Sequence, residues 1–274
     1  ISLFGAYFLP VLLIQCLFDS ITCLMIMALG RRVFPTNSWL FGFLAAVWPN
    51  LIMHSAMLLT DTLFIFFFTT FLLSFVWLLE KQKMSYALMV GIMLGLATMT
   101  RPVTQFFILL TPVLVPIMLI CAKARLRDAL LQSIIISLVS LSFLSPLLLN
   151  NIQTHCSYAL TSQNGAHLQN WVAAEIVMLR DRTSRADAIA KMTAKTDRAI
   201  AALPPAAQIN PFSISAQHVT TATNEILASP PTIILKSWAQ GAIVNLAAPA
   251  IMIDKRVRSL PHLSFSADTS GGLL

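Results

Sequence analysis

Residues 63–79 read LFIFFFTTFLLSFVWLL, an apolar run interrupted only by two threonines and a serine. Asp61 stands just before this run, and the polar segment Glu80-Lys81-Gln82-Lys83 closes it. A helix needs about 20 mostly apolar residues to cross the hydrocarbon core of a bilayer. With its immediate flanks the run approaches that length, so it is predicted to span a membrane.

The composition of the whole chain supports the same class. Of its 274 residues, 57% are hydrophobic and 11% are charged, whereas soluble domains carry about 25% charged residues. This excludes an ordinary soluble enzyme and an intrinsically disordered chain. The net charge of +7 does not form a basic stripe interleaved with aromatic residues, so no nucleic-acid partner is predicted.

Five further apolar runs lie within residues 1–149, at residues 5–29, 39–57, 86–100, 103–122 and 129–149. Pro49 interrupts the run at 39–57, and the run at 86–100 is short. We therefore predict an all-α fold, a polytopic membrane helical bundle with a core of about six helices over residues 1–149.

Basic residues in the connections predict the orientation of this core. The connections at 31–32, 80–83 and 123–127 hold seven Lys and Arg residues, and those on the opposite side hold only Arg101. Because short basic loops stay on the cytoplasmic side, Asp61 and Arg101 are predicted to face the periplasm or an equivalent lumen. The expected location is a cell membrane, as a multi-pass protein of the bacterial inner membrane with its active face periplasmic.

The sequence becomes polar after Asn150. Residues 150–231 are predicted to form a small extracytoplasmic domain or loop with two helices, the second ending before Pro204-Pro205. Residues 232–253 suit either an interfacial helix or a seventh membrane helix. Residues 254–274 are expected to be a truncated tail, and the chain, which begins at Ile1 inside apolar sequence, is expected to be a fragment that lacks N-terminal sequence.

Asp61 is the first candidate functional residue, because an ionisable group beside a membrane span is costly. One interpretation makes Asp61, or its neighbour Thr60, only the N-cap of a helix. The other places Asp61 in a polar site on the outer face, with His54 and Ser55 on the preceding helix.

Arg101 is the second candidate. Its guanidinium is a rigid fork of donors that suits phosphate or carboxylate, although snorkelling to lipid headgroups is the alternative. Asp19, inside the first span, is expected to serve packing or to line a cavity. No group of His, Cys, Asp and Glu residues shows metal-ligand spacing, so no metal site is predicted.

Three segments occur in an order that resembles a known family. They are residues 29–34 (LGRRVF), 54–61 (HSAMLLTD) and 95–102 (GLATMTRP). In this order they resemble glycosyltransferase family 39, a group of type C membrane glycosyltransferases that includes protein mannosyltransferases, aminoarabinose transferases of lipid A and lipopolysaccharide galacturonosyltransferases. The resemblance covers residues 5–165 and extends more loosely to residues 230–265.

The resemblance implies an inverting transfer of a sugar from a polyprenyl-phosphate donor to a glycan, lipid or protein acceptor. It implies a supporting role for Asp61 and a contact between Arg101 and the donor phosphate. We also expect His54, Ser55 and Asn164 to line the substrate site. The main catalytic acid of the family lies in an outer loop that would precede Ile1. No cofactor is implied with certainty, and a divalent metal is possible.

Two other functions fit the same residues. A membrane transporter or flippase for a lipid-linked or small polar substrate would also have several spans with few polar residues, but it should show internal repeats and paired broken helices. A noncatalytic assembly protein would use Asp61 only as a helix cap and Arg101 only as a membrane anchor.

Overall fold

A computed structural model describes residues 9–56 and 60–247, and every regular element in these residues is a helix. The prediction of an all-α polytopic bundle is therefore confirmed. The chain divides into two units, residues 1–147 and 148–274.

The first unit contains the apolar helices. In chain order they are α1 (Leu9–Val33), α2 (Ser38–Ala46), α3 (Pro49–Ala56), α4 (Asp61–Lys81), α5 (Met84–Thr100), α6 (Gln105–Cys121, after a 3₁₀ turn at Pro102–Thr104) and α7 (Leu126–His155), whose last residues belong to the second unit.

Four of these elements have the length and composition of a membrane span, namely α1, α4, α6 with its 3₁₀ turn, and α7. The predicted span at 39–57 is instead a pair of helices, α2 and α3, bent by 50° at their junction. Pro49 opens α3, where its missing N–H and fixed φ are tolerated, but it could not continue α2. Because α5 has only 17 residues, the number of spans stays a prediction.

The helices of the first unit alternate in direction, which gives the unit two different ends. At one end Arg32 Nη1 donates to Glu80 Oε1 at 2.7 Å, and Gln82 Nε2 donates to the carbonyl of Ala122 at 2.7 Å. We call this the basic end. Helix α4 ends with Lys81 at the basic end, so Asp61, its first residue, lies at the opposite end. Helix α5 starts at the basic end and runs back, so Arg101, which follows its last residue, also lies at the opposite end.

Two glycines bring α5 close to α7. A Cβ added at Gly91 would lie 2.9 Å from Val139 Cβ, and one at Gly95 would lie 3.0 Å from Phe143 Cβ. Small residues four apart let two membrane helices approach closely. Ser140 adds a hydrogen bond from its hydroxyl to the carbonyl of Gly91 at 3.0 Å. These contacts hold the helix that carries Arg101 at its C-terminal end.

The second unit contains shorter helices. They are α8 (Asn164–His167), which continues through a π-helical segment (Leu168–Ala173) into α9 (Ala174–Asp181), then α10 (Arg185–Ala201), α11 (Pro205–Gln208), α12 (Pro211–Leu227) and α13 (Pro231–Ala247). Small and flexible side chains form their buried core: Ala173, Ala174, Val177, Ala188, Met192 and Ala222.

Two of the predicted segments lie near the end of the described residues. The segment at 232–253 is helical as far as Ala247, within α13, and its remaining residues lie outside the described part. The expected tail at 254–274 lies entirely outside it.

Candidate functional site

Asp61 is the first residue of α4, and its side chain pairs with Arg101, the residue that follows the last residue of α5. Its carboxylate accepts a hydrogen bond from Arg101 Nη2 in an ion pair, and only 14% of the side chain is exposed. Thr60 occupies the N-cap position of α4 without making a side-chain cap hydrogen bond. The carboxylate of Asp61 thus bridges two segments 40 positions apart in the chain.

The backbone around Arg101 is held by a small set of hydrogen bonds. Arg101 is extended, with φ −140° and ψ 111°, as expected for a residue before a proline. The hydroxyls of Thr98 and Thr104 lie 2.9 Å apart, and Thr104 also donates to the carbonyl of Arg101 at 3.1 Å. We call Thr98 and Thr104 the threonine bridge, since they join the end of α5 to the turn before α6.

The guanidinium of Arg101 is only partly used by Asp61. Its side chain is 47% exposed, and its centre lies 5.8 Å from the ring centroid of Phe64, one turn along α4. A guanidinium has five N–H donors in a planar fork. Arg101 is therefore fixed on one side by a carboxylate and a ring, and it presents further donors to a ligand.

His54, near the end of α3, is the third member of the group. Its Nδ1 lies 4.0 Å from Asp61 Oδ2, and this buried atom has no hydrogen-bond partner among the described residues. His54, Asp61 and Arg101 together form what we call the polar cluster, to which α3, α4 and the end of α5 contribute.

Two predicted residues have other positions. Ser55 is buried, and its hydroxyl donates to the carbonyl of Ile52 in its own helix at 2.9 Å, so it offers no free donor to a substrate. Asn164 is the exposed first residue of α8 and belongs to the second unit. Its predicted role in lining the site stays a prediction.

The polar cluster does not have the composition of a metal site. Within residues 9–56 and 60–247, no three His, Cys, Asp or Glu side chains are arranged to hold a metal ion. Asp61 is already paired with a cation, which removes the best candidate ligand. Among the described residues, the side chains of the polar cluster therefore do not form a divalent-metal site.

Phe64 and the threonine bridge were not identified from the sequence. Phe64 lies in a run of phenylalanines that all resemble lipid-facing residues, so its position three residues after Asp61 was the only available signal. Thr98 and Thr104 flank Arg101-Pro102 on both sides, and polar residues placed symmetrically about an Arg-Pro pair could have indicated a braced turn.

Comparison with known proteins gives one match. The family described as dolichyl-phosphate-mannose-protein mannosyltransferase matches residues 1–149, which is more than half of the chain. No curated protein and no solved structure matches it. The match confirms the resemblance seen in the sequence and favours a transferase over a transporter or an assembly protein. This chain, a multi-pass membrane protein, thus belongs to the dolichyl-phosphate-mannose-protein mannosyltransferase family, whose members are membrane glycosyltransferases with lipid-linked sugar donors.

Proposed function

We propose that the protein transfers a sugar from a polyprenyl-phosphate donor to an acceptor hydroxyl on the outer face of the membrane. One observation carries this proposal. Asp61 orients the half-exposed guanidinium of Arg101 at the end of the first unit opposite the basic end. A cation held in this way suits the phosphate of a lipid-linked sugar, because phosphate accepts charge-assisted hydrogen bonds from an arginine fork.

The reaction needs two protein functions at this place. The acceptor oxygen attacks C1 of the sugar, and the bond between C1 and the phosphate oxygen breaks. The electron pair of that bond goes to the lipid phosphate, and the acceptor proton goes to a carboxylate base. Arg101 stabilises the charge that develops on the phosphate, and Asp61 keeps the guanidinium in place without itself contacting the sugar.

The acceptor is a hydroxyl-bearing glycan, lipid or protein. The outer-face location rests on the positive-inside pattern of the basic connections, and an acceptor on that face would reach the polar cluster without crossing the bilayer. The family indicates only the class of the sugar, which is a hexose or pentose carried on a polyprenyl phosphate.

The decisive experiment compares the kinetics of Arg101→Ala and Arg101→Lys in the full-length protein. We expect Arg101→Ala to raise the KM for the polyprenyl-phosphate sugar by roughly tenfold to a hundredfold, since a hydrogen bond to a charged group contributes about 1.5–3 kcal/mol. The KM for the acceptor should change little. Arg101→Lys should recover part of the loss, because Lys keeps the charge and loses the fork. Equal effects on both substrates would contradict a phosphate contact.

A charge swap separates substrate contact from structure. The double variant Asp61→Arg with Arg101→Asp keeps an ion pair at the same place but reverses its direction. If the pair only joins α4 to the end of α5, the swap should restore both abundance and transfer. We expect it to restore abundance and not transfer.

A further inference from the structure

Helix α13 of the second unit turns apolar side chains outward. Leu235, Trp238 and Ile243 are 65%, 70% and 64% exposed, and their helical spacing places them on one side of the helix. We call these three residues the apolar face. Among the described side chains of α13, the only buried one is Ser237, which is polar. The helix therefore has the reverse of the pattern expected where a helix borders water.

Helix α10 of the same unit has the ordinary pattern. Two of its three buried residues, Ala188 and Met192, are apolar, and its exposed residues include the charged Lys191, Lys195 and Asp197. Both α10 and α13 pack against α9, so the reversal belongs to α13 and not to the unit as a whole. Exposed apolar residues grouped on one surface mark a contact with a membrane or a protein.

The start of α13 is fixed to the charged part of the second unit. Ser229, two residues before α13, is buried; its hydroxyl accepts a hydrogen bond from Arg180 Nη1 at 3.1 Å and donates to the carbonyl of Glu225 at 2.8 Å. Arg180 on α9 also pairs with the Glu225 carboxylate at 3.0 Å. The direction of the apolar face is therefore set by the packing of the unit itself.

The chain delivers this unit to a membrane surface. Helix α7 has the length and composition of a span, and its 30 residues extend over about 45 Å, whereas the hydrocarbon core is about 30 Å thick. The last residues of α7 already belong to the second unit, so no linker separates the unit from the span. Because α7 begins at the basic end, this surface is the one at the opposite end.

The composition of α13 suits the interface of a bilayer better than its core. The described helix has 17 residues, about 25 Å, and it is not among the described helices with the length and composition of a span. Its one charged residue, Lys236, is exposed next to the apolar face, where the stem covers lipid and the ammonium reaches water. Tryptophan, here Trp238, is enriched at the level of the headgroups.

We propose that α13 lies parallel to the membrane plane and docks the second unit on the bilayer. The apolar face enters the leaflet at the end opposite the basic end, and Lys236 stays at the level of the headgroups. The partner is the lipid surface itself, with no particular headgroup required. The proposed transfer uses no residue of α13, so each proposal stands or fails without the other.

The test is site-directed spin labelling of the full-length protein in phosphatidylcholine nanodiscs. In a variant whose native cysteines are replaced by serine or alanine, a single label is placed at Leu235, Trp238 or Ile243. Collision of each label with oxygen, which concentrates in lipid, is compared with collision with a water-soluble nickel chelate. A label at Asp197 on α10 is the control for a water-facing position.

We expect the three labels of the apolar face to collide mainly with oxygen and to lie about 5–10 Å below the headgroups. The labels at Leu235 and Ile243 should have the same depth, whereas the label at Asp197 should collide mainly with the chelate. Three results would each overturn the proposal. Chelate collisions equal to those at Asp197 would place the face in water, and few collisions with either reagent would indicate a protein partner. Depths that differ by about 12 Å between Leu235 and Ile243 would mean that α13 spans the bilayer.

A pair of variants then tests whether the apolar face holds the helix at the membrane. With the label at Leu235, Trp238→Glu should move the label from lipid toward water, because a carboxylate is costly below the headgroups. Lys236→Glu is the matched control, since it makes an acidic change beside the apolar face and should leave the depth of the label unchanged. An unchanged depth in Trp238→Glu would show that the apolar face does not hold α13 there.

Discussion

At the scale of single residues, Asp61 and Arg101 join parts of the chain that local sequence does not connect. Each side chain belongs to the end of a different apolar helix, and each would be a charged group at the edge of the bilayer without the other. Pairing lowers that cost for both. The pair therefore serves the fold and the proposed phosphate site at once, and variants must be chosen to separate the two.

Asp61→Asn is the milder of the available changes at this position. Asn keeps an oxygen that can accept a hydrogen bond from Arg101 but removes the negative charge that holds the guanidinium. We expect full-length protein with this substitution to accumulate normally in membranes and to transfer sugar at least tenfold more slowly, as expected for the loss of about 1.4 kcal/mol of charge-assisted bonding. Transfer at the normal rate would show that Asp61 acts only at the start of α4.

The threonine bridge allows a test of how firmly Arg101 must be held. Thr98→Val is nearly isosteric and removes a buried hydroxyl that is bonded to Thr104 at 2.9 Å. We expect a loss of about 1–2 kcal/mol in the free energy of unfolding, because the Thr104 hydroxyl loses one partner. Thermal unfolding of the purified protein in detergent measures this, and Thr98→Ser, which keeps the hydroxyl, should stay close to the unsubstituted protein.

The candidate residues were predictable, but their arrangement was not. Asp61 and Arg101 stand out in the sequence because charged residues are rare beside apolar runs. Their pairing depends on the packing of α4 against α5, which composition does not specify. Ser55 was expected to line the site, but its hydroxyl donates to the backbone of its own helix. Any helical serine can make such a bond, so the sequence alone does not show which serines are free to bind a ligand.

At the scale of helices, the close approach of α5 and α7 explains why a helix as short as α5 has a defined position. Gly91 and Gly95 lie one turn apart, and because neither has a side chain, Val139 and Phe143 of α7 approach the backbone of α5 directly. A short apolar helix has little area to bury, so close backbone packing and the hydrogen bond from Ser140 take a larger share of its stabilisation.

Gly91→Ala should lower the unfolding temperature of the protein. The added Cβ would lie 2.9 Å from Val139 Cβ and 3.1 Å from the carbonyl oxygen of Ile136, so α5 and α7 would have to separate. We expect a loss of about 1–3 kcal/mol, the usual effect of overpacking. Gly241→Ala in α13 is the matched control, because nothing lies within 4 Å of its added Cβ. There alanine should be neutral or stabilising by up to about 1 kcal/mol.

The helices α9, α10 and α12 of the second unit are joined by ion pairs that depend on pH. Hydrogen bonds from Arg180 and then Lys191 lower the pKa of Asp181 from 3.8 to about 2. Burial alone would raise the pKa of Glu225, but hydrogen bonds from Lys195 and Arg180 outweigh burial and lower it below 4.5. Because both pKa values are lower in the folded state, the stabilisation is complete above about pH 5 and is lost as the pH falls toward 2.

Hydrogen exchange of these three helices in the full-length protein measures that loss. We expect protection to fall between pH 5 and pH 3, after correction for the intrinsic exchange rate, and Asp181→Asn to flatten the fall. Asp197→Asn changes an exposed carboxylate on α10, the helix that carries Lys191, and should leave the profile as it is. A profile that does not change with Asp181→Asn would mean that the ion pairs contribute nothing to these helices.

Helix positions were more predictable than helix breaks. Apolar runs bounded by charged residues gave α1, α4, α6 and α7, because a bilayer demands both length and apolarity. Pro49 predicts a bend between α2 and α3, but it does not predict the angle of that bend. The π-helical segment at Leu168–Ala173 has no sequence signature, since it reflects how one turn accommodates its neighbours.

At the scale of the whole molecule, the first unit has two chemically different ends. The ion pair of Arg32 and Glu80 and the basic residues of the connections lie at one end, and the ion pair of Asp61 and Arg101 lies at the other. The basic end suits the cytoplasmic side of a membrane. The proposed transfer requires that Arg101 face the opposite side, so the orientation of the unit and its chemistry are tested together.

Thiol labelling on intact cells provides this test. In a variant with Cys16, Cys23, Cys121 and Cys156 replaced by serine or alanine, a single cysteine is introduced at Thr60 or at Ser85, both of which are exposed. We expect a membrane-impermeant maleimide to label the cysteine at position 60 in intact cells, and the one at position 85 only after permeabilisation. The reverse pattern would place Arg101 on the cytoplasmic side, where the donor phosphate would have to be met from the cytoplasm, and the outer-face transfer would be excluded even if Arg101→Ala still raised the KM for the donor.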